Sequence, residues 1–184
     1  MAGAQLVKTQ GASSYTGKVQ TYNVVSGHSS LLAIGDFVSE TGTGTADGLA
    51  GVDASAAGGL ISGVIVGFAP NISNLEQKGM PAGTGGNVFV QVDPSGLYEL
   101  EISGGALAVT NIGQNADIVA TAATSSGNLV RSNMTLNGAS PGTATAQMRI
   151  VGLVPSTDGT ALGANGNLAL VRINESFIKG VVGV

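Results

Sequence analysis

His28 is the only histidine of the 184-residue chain, so any imidazole chemistry would have to run through it. It stands in Ser26-Gly27-His28-Ser29-Ser30-Leu31-Leu32, and Ser29 or Ser30 with His28 and Asp36 supplies the residue types of a Ser-His-Asp set. Nothing around these residues resembles a nucleophile elbow or another triad context, and His28 reads as an exposed turn residue. A histidine-based zinc site needs further nitrogen or sulfur ligands, and the chain has neither a second histidine nor any cysteine. Glu99 and Glu101 are paired carboxylates on one strand face, the residue types of a glycosidase. Trp is absent and aromatics are only 4%, so no stacking platform for a sugar accompanies them, and they read as a solvated strand face. Asp47 and Asp53 flank Gly-Leu-Ala-Gly-Val, but their spacing matches no calcium loop. The glycine-rich Ala82–Gly86 lacks the Lys-Ser/Thr of a phosphate loop and precedes a strand rather than a helix. No catalytic, cofactor-binding or metal-binding residue is assigned, no cofactor is expected, and the chain does not read as an enzyme.

The composition points instead to a structural role. Charged residues are 10%, against roughly 25% in ordinary soluble domains, and the 30 glycines are about twice the usual share. So few charges fit a surface that neighbouring molecules cover. The net charge of −4 argues against a nucleic-acid partner. Its distribution is uneven: residues 36–117 hold nine acids and one lysine, whereas residues 1–35 carry Lys8 and Lys18 and no acid. No apolar run approaches the ~20 residues that span a bilayer, and the first residues do not form a secretion signal. The expectation is a protein made in the cytoplasm without a membrane partner.

The elements that must position any functional side chain read as strands. Residues 18–25 alternate and are rich in β-branched types, residues 31–39 form a second apolar run kinked at Gly35-Asp36, and 60–69 is a buried strand closed by Pro70. Residues 87–92 and 98–102 alternate on either side of Asp93-Pro94-Ser95-Gly96, which predicts a β-hairpin. Further strands are expected at 106–111, 117–121, 146–154 and 168–178, with a short one at 129–131. Residues 40–59 read as a long loop, with a short strand near 49–52 as the alternative. One helical turn or two at 72–79 is the only helix candidate. The fold class is all-β: a β-sandwich or barrel-like domain over residues 17–184, with long Gly/Ser/Thr-rich loops and an extended N-terminal arm over residues 1–16. Val64, Val66, Phe68, Val88, Val90, Val92, Ile150, Leu153, Leu170 and Ile173 are the expected core.

One hexapeptide occurs twice: Ile-Val-Gly-Phe-Ala-Pro at 65–70 and Ile-Val-Gly-Leu-Val-Pro at 150–155. Gly-Asp-Phe-Val (35–38) precedes the first and Ala-Asp-Ile-Val (116–119) the second, which predicts a pseudo-twofold internal repeat with Asp36 matched to Asp117.

Taken in order, "GDFV", "ISGVIVGFAPN", "FVQVDPSGLYELEI", "GQNADIV", "QMRIVGLV" and "NLALVRINES" resemble the small head decoration, or cement, proteins of tailed bacteriophages. The resemblance runs from about Leu31 to Ser176. It implies a β-rich structural virion protein on the capsid exterior that binds the major capsid protein, stabilises the expanded head and bridges capsomers. It further implies a homo-oligomer, a trimer favoured over a dimer. The resemblance names no contact residues. The arm and its basic flank supply the candidates Gln5, Leu6, Lys8 and Lys18, with the arm expected to order only on the capsid. A bacterial surface or fibre subunit, and a carbohydrate-binding β-sandwich, are the alternatives.

Overall fold

The computed structural model describes residues 3–9, 18–72, 74–93, 95–127 and 129–177. The fold is all-β, and its only helical element among these residues is a single 3-10 turn at Val109–Asn111. After β1 (Gln5–Thr9), the strands β2 (Val19–Val24), β3 (Phe37–Gly44), β4 (Ala50–Ala54), β5 (Gly63–Phe68) and β6 (Gly86–Gln91) close a barrel in the order β2-β4-β3-β5-β6. The second half comprises β7 (Gly96–Ser103), β8 (Asn115–Ala116), β9 (Ile118–Val119), β12 (Thr135–Asn137), β13 (Met148–Leu153) and β14 (Leu168–Ile173), ordered β8-β13-β14-β7-β12-β9. The two ends of that order, β8 and β9, are separated only by Asp117, so the sheet curls back on itself. A small hairpin, β10 (Thr124–Ser126) with β11 (Leu129–Arg131), is inserted between β9 and β12.

The two halves repeat one another strand for strand. β2 runs antiparallel to β6 and parallel to β4, and β7 runs antiparallel to β14 and parallel to β12. β5 has a bulge between Ile65 and Gly67 opposite β6, and β13 has one between Ile150 and Gly152 opposite β14. The recurring Ile-Val-Gly is therefore a bulge sequence: isoleucine pairs, valine is the extra residue, and glycine resumes the ladder. The matching residues upstream differ from the sequence expectation. Ile65 N–H donates to Asp36 O, and Ile150 N–H donates to Gln114 O. Gly35 N–H reaches Ile65 O as Gly113 N–H reaches Ile150 O. Asp36 thus corresponds to Gln114, not Asp117, because the second half uses Gly-Gln-Asn-Ala where the first uses Gly-Asp-Phe-Val.

Two cores follow from this arrangement. Tyr22, Val24, Leu32, Val38, Val52, Ile65, Val88 and Val90 fill the first barrel. The larger cluster holds Tyr98, Leu100, Ile102, Leu136, Met148, Ile150 and Val171 from the second half, together with Phe37, Ile61 and Val64 from the first. Successive strand residues face opposite sides, so Phe37 and Val64 point into the larger cluster while their neighbours Val38 and Ile65 point into the first barrel. β3 and β5 are therefore a shared wall. The Phe37 and Tyr98 rings meet edge-to-face across it, centroids 6.0 Å apart at 74°. Gln147, fully buried, ties the halves further: its Nε2 donates to Ala56 O at 2.8 Å and Gly59 O at 2.7 Å, and its Oε1 accepts from Ile118 N–H.

Several sequence expectations change. The strands flanking Asp93–Gly96 do not pair with each other: both edges of β6 are taken by β2 and β5, and β7 joins the other half. The turn itself forms, with Gly96 N–H on Asp93 O and Ser95 N–H on the Asp93 carboxylate. A proline at the first central position fixes φ negative, which suits type I or II turns. Those splay the flanking strands instead of folding them into a tight hairpin. Residues 40–59 are largely a hairpin of β3 and β4 rather than a loop. Glycine is required at 51, where a Cβ would lie 2.8 Å from both Thr41 Oγ1 and Thr43 Oγ1. Residues 106–111 form the 3-10 turn and its approach rather than a strand, and the helix expected at 72–79 is absent among its described residues, where Gln77 N–H on Asn74 O closes a turn instead.

The arm is extended but not free over its described part. β1 pairs with β7, Gln5 opposite Glu99 and Leu6 opposite Tyr98, while Ala4 is buried in the larger core. β7 leaves that edge open because β12 covers only Ile102 and Ser103. Residues 1–2 and 10–17 lie outside the described residues. Of the expected core, Val64, Val88, Val90, Val92, Ile150 and Ile173 are buried. Phe68, Leu153 and Leu170 are half-buried and Val66 is 39% exposed. The bulge turns Val66 outward, and Leu170 has the wrong parity to share a face with Ile173: Ala169 and Val171 take that face.

Candidate partner-binding surface

The residues singled out for chemistry are scattered. His28 is 2% exposed, not the exposed turn residue its neighbours suggest. The 81–86 loop covers it, with Gly83 N–H on His28 O and His28 Nε2 on Thr84 O at 2.8 Å. Asp36 is committed to its own turn, its Oδ2 accepting from Ala33 N–H at 2.7 Å. Burial pushes the Asp36 carboxyl up to about 6, against the lowering effect of the Ser132 hydroxyl and the Ala33 amide. Glu99 and Glu101 lie on a central strand rather than a hairpin, opposite Leu170 and Leu168 of β14. Asp47 is exposed in the turn between β3 and β4, and Asp53 is half-buried within β4. Asp158 is held down to about 2 by the Ser156 hydroxyl and the Thr160 amide and hydroxyl, which fold the 156–160 loop around its carboxylate. Among the described residues, no three His, Cys, Asp or Glu side chains gather where they could hold a metal ion.

What the fold does assemble is a groove where the two halves meet. Gln5 and Leu6 of β1 form one wall, and Ile34, Val66 and Gln91 the other, around a volume of about 320 Å³. β1 reaches this place because β7 gives it an edge, and β5 reaches it because the shared wall runs beneath. Among the described residues, no charged side chain lines the groove. Ile34 is 56% exposed and Val66 39%, whereas Gln91 is 1% exposed with no acceptor for its Nε2. A buried amide donor without a partner costs on the order of 1–3 kcal/mol.

Of the four residues proposed from sequence, Gln5 and Leu6 line this groove. Lys8 stands opposite Leu97 in β1, with its side chain outside the described residues. Lys18 is exposed just before β2, its carbonyl accepting from Val92 N–H, and it does not line the groove. Ile34, Val66 and Gln91 escaped the sequence reading. The signal for Val66 was the repeated Ile-Val-Gly read as a bulge instead of an uninterrupted strand. No protein-family model, curated protein or solved structure matches the chain.

Proposed function

We propose that this chain is a structural virion protein that binds the outer surface of a tailed-phage capsid and stabilises the expanded head by bridging capsomers. The observation that carries the reading is the groove lined by Gln5, Leu6, Ile34, Val66 and Gln91, without a charged side chain among the described residues. The apolar side chains of Ile34 and Val66, kept in water, fit a surface awaiting another protein. The order of strand motifs along the chain, which resembles that of head decoration proteins, supplies the class of partner. A barrel and a second sheet sharing a common wall form a body suited to spanning a junction, and many weak contacts on one shell add through avidity. The chain acts as a homo-oligomer, most simply a trimer.

The test is co-sedimentation of the purified full chain with expanded heads that lack it. Saturable binding at a fixed ratio to shell subunits, with heads that survive higher temperature, is the expected result. Heads that pellet without the protein at micromolar concentration would overturn the proposal.

A further inference from the structure

We infer that the outer face of β6, with the cleft at the start of that strand, binds a neutral oligosaccharide. The site shares no lining residue with the groove between β1 and β5, and the inference does not rest on capsid binding.

The face follows from strand alternation. Val88 and Val90 are buried in the first barrel, so Asn87 and Phe89 stand on the opposite side of β6, where both are exposed. Thr21 and Asn23 of β2 lie across the ladder from Phe89 and Asn87, and Asn23 Nδ2 donates to Asn87 Oδ1 at 2.9 Å. On its other flank Phe89 faces Gly67, the residue that resumes the ladder after the bulge, where a Cβ would lie 3.3 Å from the ring. No side chain covers the ring from that flank. Phe89 is 38% exposed, whereas Tyr22, Phe37 and Tyr98 are buried.

Asn87 also lines a cleft of about 480 Å³. Ala69 N–H bonds to Asn87 O, and Pro70, with no N–H of its own, ends the ladder and lets the chain diverge. Asn71, Gln77 and Thr84 stand in the cleft beside the apolar Pro70 and Met80, and among the described residues no charged side chain lines it. Asn71 Nδ2 donates to Gln77 Oε1 at 2.7 Å and Gln77 Nε2 to Gly79 O at 2.8 Å, so these amides are oriented before a ligand arrives.

The second half gives a comparison within the same chain. Val154 N–H bonds to Leu168 O, Pro155 follows, and a cleft of about 370 Å³ opens there as well. Gly152 stands opposite Leu170 as Gly67 stands opposite Phe89. Yet Leu168 and Leu170 take the places of Asn87 and Phe89, Glu101 and Glu99 those of Asn23 and Thr21, and Asp158 lies in the cleft. The backbone makes a face and a cleft in both halves, and the first half alone furnishes them with an aromatic ring and paired neutral amides. Folding does not demand that set, because aliphatic and acidic side chains serve at the matching positions.

A sugar suits this chemistry. A pyranose carries C–H bonds on its faces and hydroxyls, each a donor and an acceptor, around its rim. The exposed Phe89 ring gives a C–H face an apolar partner. After their mutual bond Asn23 keeps its Oδ1 and one N–H, and Asn87 keeps both N–H groups, so adjacent donors and an acceptor meet adjacent hydroxyls. An ionic ligand finds no opposite charge among the described lining residues. The cleft falls within the roughly 300–1,000 Å³ of small-molecule sites, room for the chain to continue past Asn87 from a sugar stacked on Phe89.

The experiment titrates the full chain with maltohexaose, cellohexaose and mannohexaose, and with oligogalacturonate and a neutral Gly/Ser/Asn peptide for comparison, and reads amide chemical shifts. Phe89→Leu and Asn87→Leu, which install the residue type of the second half, are titrated in the same way, with thermal melts alongside. At least one neutral hexasaccharide should bind at millimolar concentration or below and shift the amides of β6. Both variants should melt like wild type and bind about tenfold more weakly or worse. Absence of binding by all three hexasaccharides overturns the inference, as does binding that shifts amides elsewhere or that both variants retain. Binding of the peptide or of oligogalacturonate, with none of the neutral sugars, gives the face to another class of partner and overturns it too. The shift map of the wild-type chain decides the matter even if a variant fails to fold.

Discussion

Replacing Asp36 with Asn should abolish a specific part of the pH dependence of folding. Asp36 is 1% exposed, and its carboxyl is pushed from an ordinary 3.8 up to about 6 by burial. A folded-state value above the unfolded one means that the native state favours the neutral acid. Its contribution to stability is complete below pH 3.8 and is lost as pH rises through 6. A shift of about two units corresponds to about 3 kcal/mol. The Asn variant keeps an oxygen for the Ala33 amide, carries no charge to bury, and has the neutral amide type that stands at the matching position, Gln114. Urea melts of both proteins at pH 4, 5, 6, 7 and 8 give the comparison. The stability of the variant relative to wild type should rise by about 2.5 kcal/mol across this range, mostly between pH 4 and 6, and then level off. Other titrating groups, including Glu175, raised by burial and then by Asp117, contribute equally to both proteins and cancel. A difference that stays flat from pH 4 to 8 would show that Asp36 is solvated and that the turn at Ala33–Asp36 is not built as described.

Further outcomes follow from the packing. Gln147→Met should cost about 3 kcal/mol in urea melts, because it strands the Ala56 and Gly59 carbonyls and the Ile118 amide in the joint between the two halves. Gly63→Ala should cost about 3 kcal/mol or prevent folding, since its Cβ would run into the Gln91 carbonyl where β5 meets β6, while Gly42→Ala, with open space but φ of +73°, should cost about 1 kcal/mol. Deleting residues 2–9 should lower the melting temperature by about 5–10 °C, the loss of Ala4 and Leu6 packing being worth about 2–3 kcal/mol. An unchanged melt would mean that β1 adds nothing to the fold.

The parts of the fold visible in the sequence were those written as local patterns. Alternation at 87–92 and 98–102 gave two true strands, and Ile-Val-Gly-x-x-Pro gave a true repeat. Pairing was not visible, because nothing local distinguishes a hairpin from a corner that sends the chain into another sheet. Pro94 was the available clue, since its fixed φ disfavours the turns that close tight hairpins. The matching of Asp36 to Asp117 failed for a related reason: identical residues were aligned where hydrogen-bond register aligns Asp36 with Gln114. Gln5 and Leu6, candidates from their place in a polar arm, line the groove because β7 gives β1 an edge, while Ile34, Val66 and Gln91 reach it only through the bulge and the shared wall. Two strand residues in a row can both be buried, as Val64 and Ile65 are, only where a strand separates two cores.

Electron cryomicroscopy of expanded heads saturated with the full chain tests the central claim most directly. The account predicts density for the chain on the outer surface of the shell, spanning two adjacent shell subunits, with the groove of Gln5, Leu6, Ile34 and Val66 against them. Density confined to one subunit, or bare heads at saturating protein, would contradict it.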